Sequence, residues 1–226
     1  RLFSLVLMCH PAPMSAKNAS PPYQTIVDHY ESCLEIHGDN NLGVDWPNKV
    51  DAKTRYRVML DIVKGCNKET LLDFGCGAGH FLEYTVTENI KNIDYVGLDI
   101  SAKFIALCRQ KWPYHKFIEV DVLKKSDAVP EIDYVIMNGV FTEKCNLSHS
   151  EMFLYMQEVI TVMWSKTRKG IAVNAMSTNV DWKRKDLFHL SKIDFSKFLT
   201  AKISKNFLFR EDYGLYEFTT YIRKDT

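Results

Sequence analysis

The spacing of apolar positions changes character once along the chain. Between residues 23 and 64 they recur at helical intervals. "YQTIVDHYESCLEIHG" (23–38) sets Ile26, Val27, Tyr30, Cys33 and Leu34 along one stripe and closes on Gly38, a residue suited to the turn that ends helices. The turn-rich "DNNLGVDWP" (39–47) follows, and a second predicted helix runs from Asn48 to Lys64, stopped by Gly65. From Glu69 onward, short apolar runs alternate with helical segments. "TLLDF" (70–74), "DYVGLD" (94–99), "KFIEV" (116–120), "DYVIMN" (133–138) and "GIAVNAM" (170–176) read as buried strands. Between them, 80–89, 101–112 and 148–166 read as helices. Ser101 is placed to cap the second, and Ser148 with Glu151 has capping-box spacing at the start of the third. "NFLFREDYGLYEFTTYIRK" (206–224) reads as two strands around a "DYG" turn. This order predicts an α/β fold: a doubly wound, mostly parallel sheet of seven strands, helices on both faces, and an antiparallel pair at its end.

Composition narrows the class without naming an activity. The chain has 226 residues, 46% hydrophobic and 25% charged, as expected for one globular domain with a small appendage. A formal net charge of +1 gives no footprint for specific nucleic-acid binding. Six cysteines are scattered with no C-x-x-C pair, so neither a metal centre nor a disulfide framework is expected, and reduced thiols in the cytoplasm are the reading. No apolar run is long enough to span a bilayer. The opening "RLFSLVLMCHPAPM" has a short apolar segment and no convincing cleavage site, and Met14 is a candidate natural start. The expected division is a flexible or non-native extension (1–20), a helical cap (21–66) and the main domain (67–226).

The chemistry begins at "LLDFGCGAGH" (71–80). Gly75, Gly77 and Gly79 let the main chain approach a ligand just past the end of a strand, where open α/β sheets bind theirs. His80 stands where a dinucleotide fingerprint would place its third glycine. Asp73 beside this loop is ill placed for an anionic pyrophosphate and well placed for a cationic ammonium. Asp99 ends the second strand, where one carboxylate can accept both hydroxyls of a ribose. Asp121 follows the third, where it can take an amino hydrogen of adenine while Val122 lies on the ring. An ammonium, a ribose and an adenine without phosphate describe S-adenosylmethionine.

On "LLDFGCGAG", "VGLDIS", "EVDV" and "YVIMNGVF", each ending a predicted strand in order, the chain resembles the class I S-adenosylmethionine-dependent methyltransferases over about residues 69–224. The resemblance implies their Rossmann-like seven-stranded sheet. It implies that Asp73, Gly75, Cys76, Gly77 and Gly79 hold the methionine part, Asp99 and Ile100 the ribose and adenine edge, and Asp121 and Val122 the adenine. Asn138 and Gly139 would lie under the sulfonium, and Arg55 from the cap could meet the methionine carboxylate. Residues 123–131 depart from the family pattern, leaving little room for the helix usual between strands three and four. The cap and the tail also look like those of stand-alone bacterial methyltransferase domains, some linked to saccharide modification.

Methyl transfer from a sulfonium chiefly needs alignment and exclusion of water, and a base only where the acceptor must lose a proton early. "MNGVF" differs from the N-P-P-[FYW] type associated with nitrogen acceptors on nucleobases or glutamine. A small-molecule or saccharide hydroxyl is therefore the expected acceptor, with a protein or nitrogen acceptor as the alternative. Tyr30, Phe141, Asn174, Arg210 and Tyr213 are the candidate acceptor contacts, and His189 is the candidate base. A nicotinamide oxidoreductase and a non-catalytic cofactor-binding module remain as readings from other classes.

Overall fold

The structure is a computed structural model that describes residues 20–225 apart from 47 and 66; the expected extension lies almost wholly outside the described residues. Among the described residues eight strands form: β1 (Glu69–Phe74), β2 (Ile93–Asp99), β3 (Lys116–Glu119), β4 (Ile132–Met137), β5 (Thr167–Ser177), β6 (His189–Leu190), β7 (Phe207–Arg210) and β8 (Glu217–Arg223). The helices are α1 (Gln24–His37), α2 (Lys49–Leu60), α3 (His80–Thr87), α4 (Ala102–Lys111), α5 (His149–Lys166) and α6 (Lys192–Phe198). The sheet order is β3-β2-β1-β4-β5-β8-β7, with two-residue β6 added beside β5. Strands β1 to β5 pair in parallel, while β8 runs antiparallel to both β5 and β7. This is the expected doubly wound sheet, and its order reverses between β1 and β4.

The near-continuous apolar runs follow from burial on both faces. Along β1, Leu72 and Phe74 face one core with Met152, Met156, Val159 and Ile160 of α5, and Leu71 faces the other with Met59 of α2, Phe81 and Leu82 of α3, and Ile105 of α4. The capping box of α5 is present: the Ser148 hydroxyl accepts from the Glu151 N–H, and Glu151 accepts from the Ser148 N–H. Ser101 caps α4 by accepting the Phe104 N–H.

Two departures from the expected elements and one expected omission have local causes. Helix α2 ends at Leu60, four residues before the expected end, because Ile62 and Val63 bond back three residues and the tightened turn drives Ile62 into the core. Between β3 and β4 only a 3-10 turn fits, Ser126–Ala128. Helix α6 and the π-helical turn that continues it (Leu199–Ile203) were not expected, although Ser191 caps α6 on the Asp194 N–H and Phe195, Phe198 and Leu199 fall at helical spacing.

Candidate functional site

The glycine loop is shaped by the conformations only glycine adopts freely. Gly75 has φ +72°, and a Cβ there would lie 2.8 Å from Val140 Cγ2. Gly79, at φ +76°, is the N-cap of α3. The loop is pinned from below: Gly75 and Cys76 donate their N–H groups to the Leu98 carbonyl (2.7 and 3.0 Å), Gly77 donates to Asp99 Oδ2 (2.9 Å), and Lys111 Nζ donates to the Ala78 carbonyl (2.9 Å).

Parallel register sets Phe74 beside both Leu98 and Met137, so the residues after β1, β2 and β4 emerge on one edge. There they floor a cleft with Asp73, Gly75, Cys76, Gly77, Asp99, Ile100, Asp121, Val122, Asn138 and Gly139 on its wall. Tyr23, Ile26, Val27 and Tyr30 of α1 and its approach, with Val44, Trp46 and Tyr56, form an aromatic roof. Counting the part open to solvent, the cleft holds about 1120 Å³, ample for a nucleoside-sized ligand. No lysine or arginine lines it among the described residues; His80 is its single basic side chain and is already paired with Asp39 at 3.0 Å.

The three strand-end acids are held differently. Asp73 is buried and receives one side-chain bond, from the Tyr95 hydroxyl at 2.9 Å. Burial, partly offset by that bond, raises its pKa to about 7, and the Asp99 charge adds to the rise. Asp99 is also raised by burial, against three backbone N–H groups that favour its charged form; two of them, on Ser101 and Gly77, lie 2.9 Å from its oxygens. Asp121 accepts the Tyr23 hydroxyl (2.8 Å) and the Leu123 N–H (3.1 Å), with Lys124 Nζ at 3.1 Å. Beside them the carboxamide oxygen of Asn138 is buried with no partner among the described residues. An uncompensated carboxylate and an orphan acceptor in one cleft fit a ligand carrying donors and positive charge.

Six other expected site residues lie off the wall, and the geometry says why. Arg55 donates from Nε to Glu217 (2.7 Å) and its guanidinium covers the Trp46 ring at 5.1 Å, so its charge is already engaged. Asn174 is buried behind the floor; its Oδ1 accepts the Gly139 N–H (2.8 Å) and its Nδ2 donates to Glu217 (3.1 Å). Tyr213 joins the same cluster through Glu217 and Thr219, at 3.3 and 3.0 Å. Arg210 is held by Asp61 and by Asp212. Phe141, in the loop after β4, is fully buried. His189 belongs to β6 and not to an open loop. Its ring is buried, Nδ1 lies 2.8 Å from the Ser177 carbonyl, and Nε2 has no hydrogen-bond partner among the described residues. Gly79 likewise lies beyond the wall, spaced for packing on Cys108 and Trp112 rather than for a ligand.

The structure adds residues that the sequence reading did not assign to the site. Trp46 closes over Gly139, where a Cβ would lie 2.8 Å from the indole; the left-handed φ of +78° at Gly139 makes the same demand for glycine. Tyr23 stacks on Tyr155 at 4.8 Å and reaches Asp121 across the cleft. An aromatic residue just after "ASPP" was the signal available for Tyr23.

Comparison with known proteins agrees with this architecture. A family described as a methyltransferase domain matches residues 72–151, from the first strand into α5. The curated protein "Putative methyltransferase Rv1506c" of Mycobacterium tuberculosis is 25% identical over 165 residues, covering 72% of this chain and 98% of its own. In fold, the chain is similar to magnesium protoporphyrin IX methyltransferase of Synechocystis PCC 6803 with bound SAH (TM-score 0.59, 16% identity, 89% of this chain and 100% of that one). It is also similar to the 1,6-didemethyltoxoflavin-N1-methyltransferase of Burkholderia thailandensis (TM-score 0.62, 15% identity, 95% of each). The doubly wound sheet, the glycine loop and the matched domain define a Rossmann-like methyltransferase. The matched domain makes the chain an S-adenosylmethionine-dependent methyltransferase, similar in its sheet and glycine loop to those of class I.

Proposed function

We propose that the chain methylates a small molecule, a saccharide or similar hydroxyl compound, presented to the cleft beneath the aromatic roof. The observation that carries the reading is the sign of the cleft: acids at three successive strand ends, an orphan Asn138 acceptor and no lysine or arginine on the wall. That environment favours a cationic amino-acid nucleoside and opposes a dinucleotide pyrophosphate. Asp73 and the loop Gly75–Gly77 would hold the amino-acid part, Asp99 and Ile100 the ribose, Asp121 and Val122 the base, and Asn138 with Gly139 the reacting end. When bound, S-adenosylmethionine supplies a methyl group already activated by a sulfonium.

The protein's own share is then placement and dryness. Trp46 and Tyr30 shield the end of β4 from water, and the Arg55–Glu217–Asn174 relay fixes the Gly139 N–H under the indole. Aromatic faces are good platforms for the apolar face of a sugar or other ring. Among the described residues, no side chain on the wall is a lysine or arginine and its one histidine, His80, is paired with Asp39, which supports transfer by alignment. The solved relatives act on small molecules according to their names, a porphyrin and a toxoflavin precursor. Residence in a reducing cytoplasm belongs to the same proposal and suits the unpaired, part-exposed Cys33 and Cys145.

Calorimetry with S-adenosylmethionine, S-adenosylhomocysteine and NAD is expected to show micromolar binding of the first two and none of the third. With a labelled methyl donor and a cell extract, the label should enter a low-mass fraction whose product mass spectrometry identifies as an ether. Label in protein or on nitrogen would replace the acceptor assignment. Binding of NAD alone would overturn the cofactor assignment.

A further inference from the structure

Helix α1 carries a second chemical feature where it meets the loop that follows it. His29 and Cys33 lie one helical turn apart, and the loop after the helix returns Asp45 to them. His29 Nε2 is 3.0 Å from Asp45 Oδ2 and 3.8 Å from Cys33 Sγ, and the three ligand atoms lie within 4.8 Å of one another. We propose that His29, Cys33 and Asp45 form a binding site for a divalent transition metal of the zinc class, which ties the roof helix to the loop that carries Trp46.

Three lines of chemistry support the site. First, a zinc ion with ordinary bond lengths of about 2.0–2.3 Å sets tetrahedral ligand separations of about 3.4 Å for nitrogen to oxygen and about 3.6 Å for nitrogen to sulfur. The unliganded nitrogen-to-oxygen and nitrogen-to-sulfur separations, 3.0 and 3.8 Å, are already close to those values. Second, one ring nitrogen faces two partners. It can donate to Asp45 or accept from Cys33, and one proton cannot serve both; a cation between the three atoms satisfies all of them. Third, a nitrogen, a thiolate and one carboxylate oxygen are a borderline-soft set, which selects zinc-like ions over magnesium or calcium.

The surroundings have the right sign and access. The Asp45 and Glu143 carboxylates bring negative charge to the neighbourhood of Cys33, which suits a divalent cation. His29 and Asp45 side chains are 35% and 39% exposed, leaving a path of entry. Tyr30 packs edge-on against the His29 ring at 5.2 Å and limits its rotation. On binding, Cys33 releases its proton to solvent and coordinates as the thiolate, while His29 coordinates through the neutral ring. The sequence lacked a C-x-x-C signal because two ligands sit at helical spacing and the third arrives from a loop.

The test uses the full chain stripped with a chelator, and needs no methyl donor, so it stands or falls apart from the methyltransferase assignment. Zinc alone, titrated against a chromophoric chelator, is expected to bind in one equivalent at sub-micromolar concentration. His29→Gln and Cys33→Ser should each weaken binding by about 100-fold or more, and Cys145→Ser should leave it unchanged. Cobalt in place of zinc should give a thiolate-to-metal absorption band that Cys33→Ser abolishes. Circular dichroism and melting in chelator show that each variant is folded. Wild-type affinity no tighter than that of Cys33→Ser, or a cobalt spectrum without the thiolate band, would overturn the site.

Discussion

At the amino-terminal edge of the sheet, Asp133 accepts from Arg168 Nε (2.9 Å) and from both the N–H and hydroxyl of Thr70 (3.0 and 2.8 Å), while Glu69 accepts from Lys169 Nζ at 2.5 Å. At the carboxyl-terminal edge, Asp73 has the Tyr95 hydroxyl and Asp99 has backbone N–H groups, and among the described residues no cation faces either. The consequences have opposite signs. The Arg168 and Thr70 hydrogen bonds outweigh desolvation and hold the Asp133 carboxyl far below its usual range, whereas burial raises Asp73 to about 7 and lifts Asp99. One edge spends its acids on internal partners that join strands; the other keeps charge uncompensated where a ligand lies. Perturbation by desolvation, rather than by pairing, separates the site from the scaffold.

The largest effect should come from Asp99. A carboxylate taking two ribose hydroxyls makes two charge-assisted bonds, each worth about 1.5–3 kcal/mol. Asp99→Ala is expected to lower S-adenosylmethionine affinity by about two orders of magnitude or more, read by calorimetry. From the sequence, Asp99 is a ligand contact alone and its loss should leave the melting temperature unchanged. The structure corrects that expectation: Asp99 also holds Gly77 of the loop and Ser101 at the start of α4, so the variant should melt earlier. Unchanged affinity would make Asp99 a loop anchor only.

Asp73→Asn separates binding from stability. Asp73 in the folded state has a pKa raised by burial to about 7, above its ordinary carboxyl value, so the folded protein holds its proton more tightly than the unfolded chain. Its contribution to stability is full below about 4 and is lost as pH rises through about 7, with a total on the order of 4 kcal/mol. The unliganded protein should therefore melt higher at about pH 5 than at about pH 8, and Asp73→Asn should flatten that slope while raising the melting temperature at the higher pH. The same change should weaken S-adenosylmethionine about 10- to 100-fold, because the partner of its ammonium is gone. A variant that keeps the wild-type slope would place the proton elsewhere.

The two edges were not equally legible. Strands, the glycine loop and the register of Asp73, Asp99 and Asn138 follow from local apolar runs and from the positive φ that Gly75 and Gly79 supply, so adjacent residues carry the information. The engagement of Arg55 does not: its partner Glu217 is 162 positions away, and Glu217 meets Asn174 across 43. A guanidinium beside a cleft looks free in the sequence and is spent in the structure. His189 was misplaced for a related reason. Strand β6 pairs with Met176 and Ser177 in the lane past the end of β4, a long-range pairing with too few residues to leave a periodic signal.

The smallest effect tests the amino-terminal edge. Asp133→Ala removes the acceptor of the Thr70 N–H and the partner of Arg168, at a site where the Asp133 side chain is 15% exposed. Charge-assisted bonds of this kind contribute about 1.5–3 kcal/mol, and part of that is recovered because Arg168 is 45% exposed and regains water. A loss of about 1–2 kcal/mol in urea unfolding is expected. Its pH dependence should oppose that of Asp73: the wild-type contribution is present above the unfolded carboxyl pKa near 4 and is lost as pH falls below it, so wild type and variant should converge in acid. Affinity for S-adenosylmethionine should stay within about twofold, since no atom of this network reaches the cleft. A drop in affinity comparable to that of Asp99→Ala would mean the edges are coupled through β1 and β4, and that internally paired acids serve the site after all.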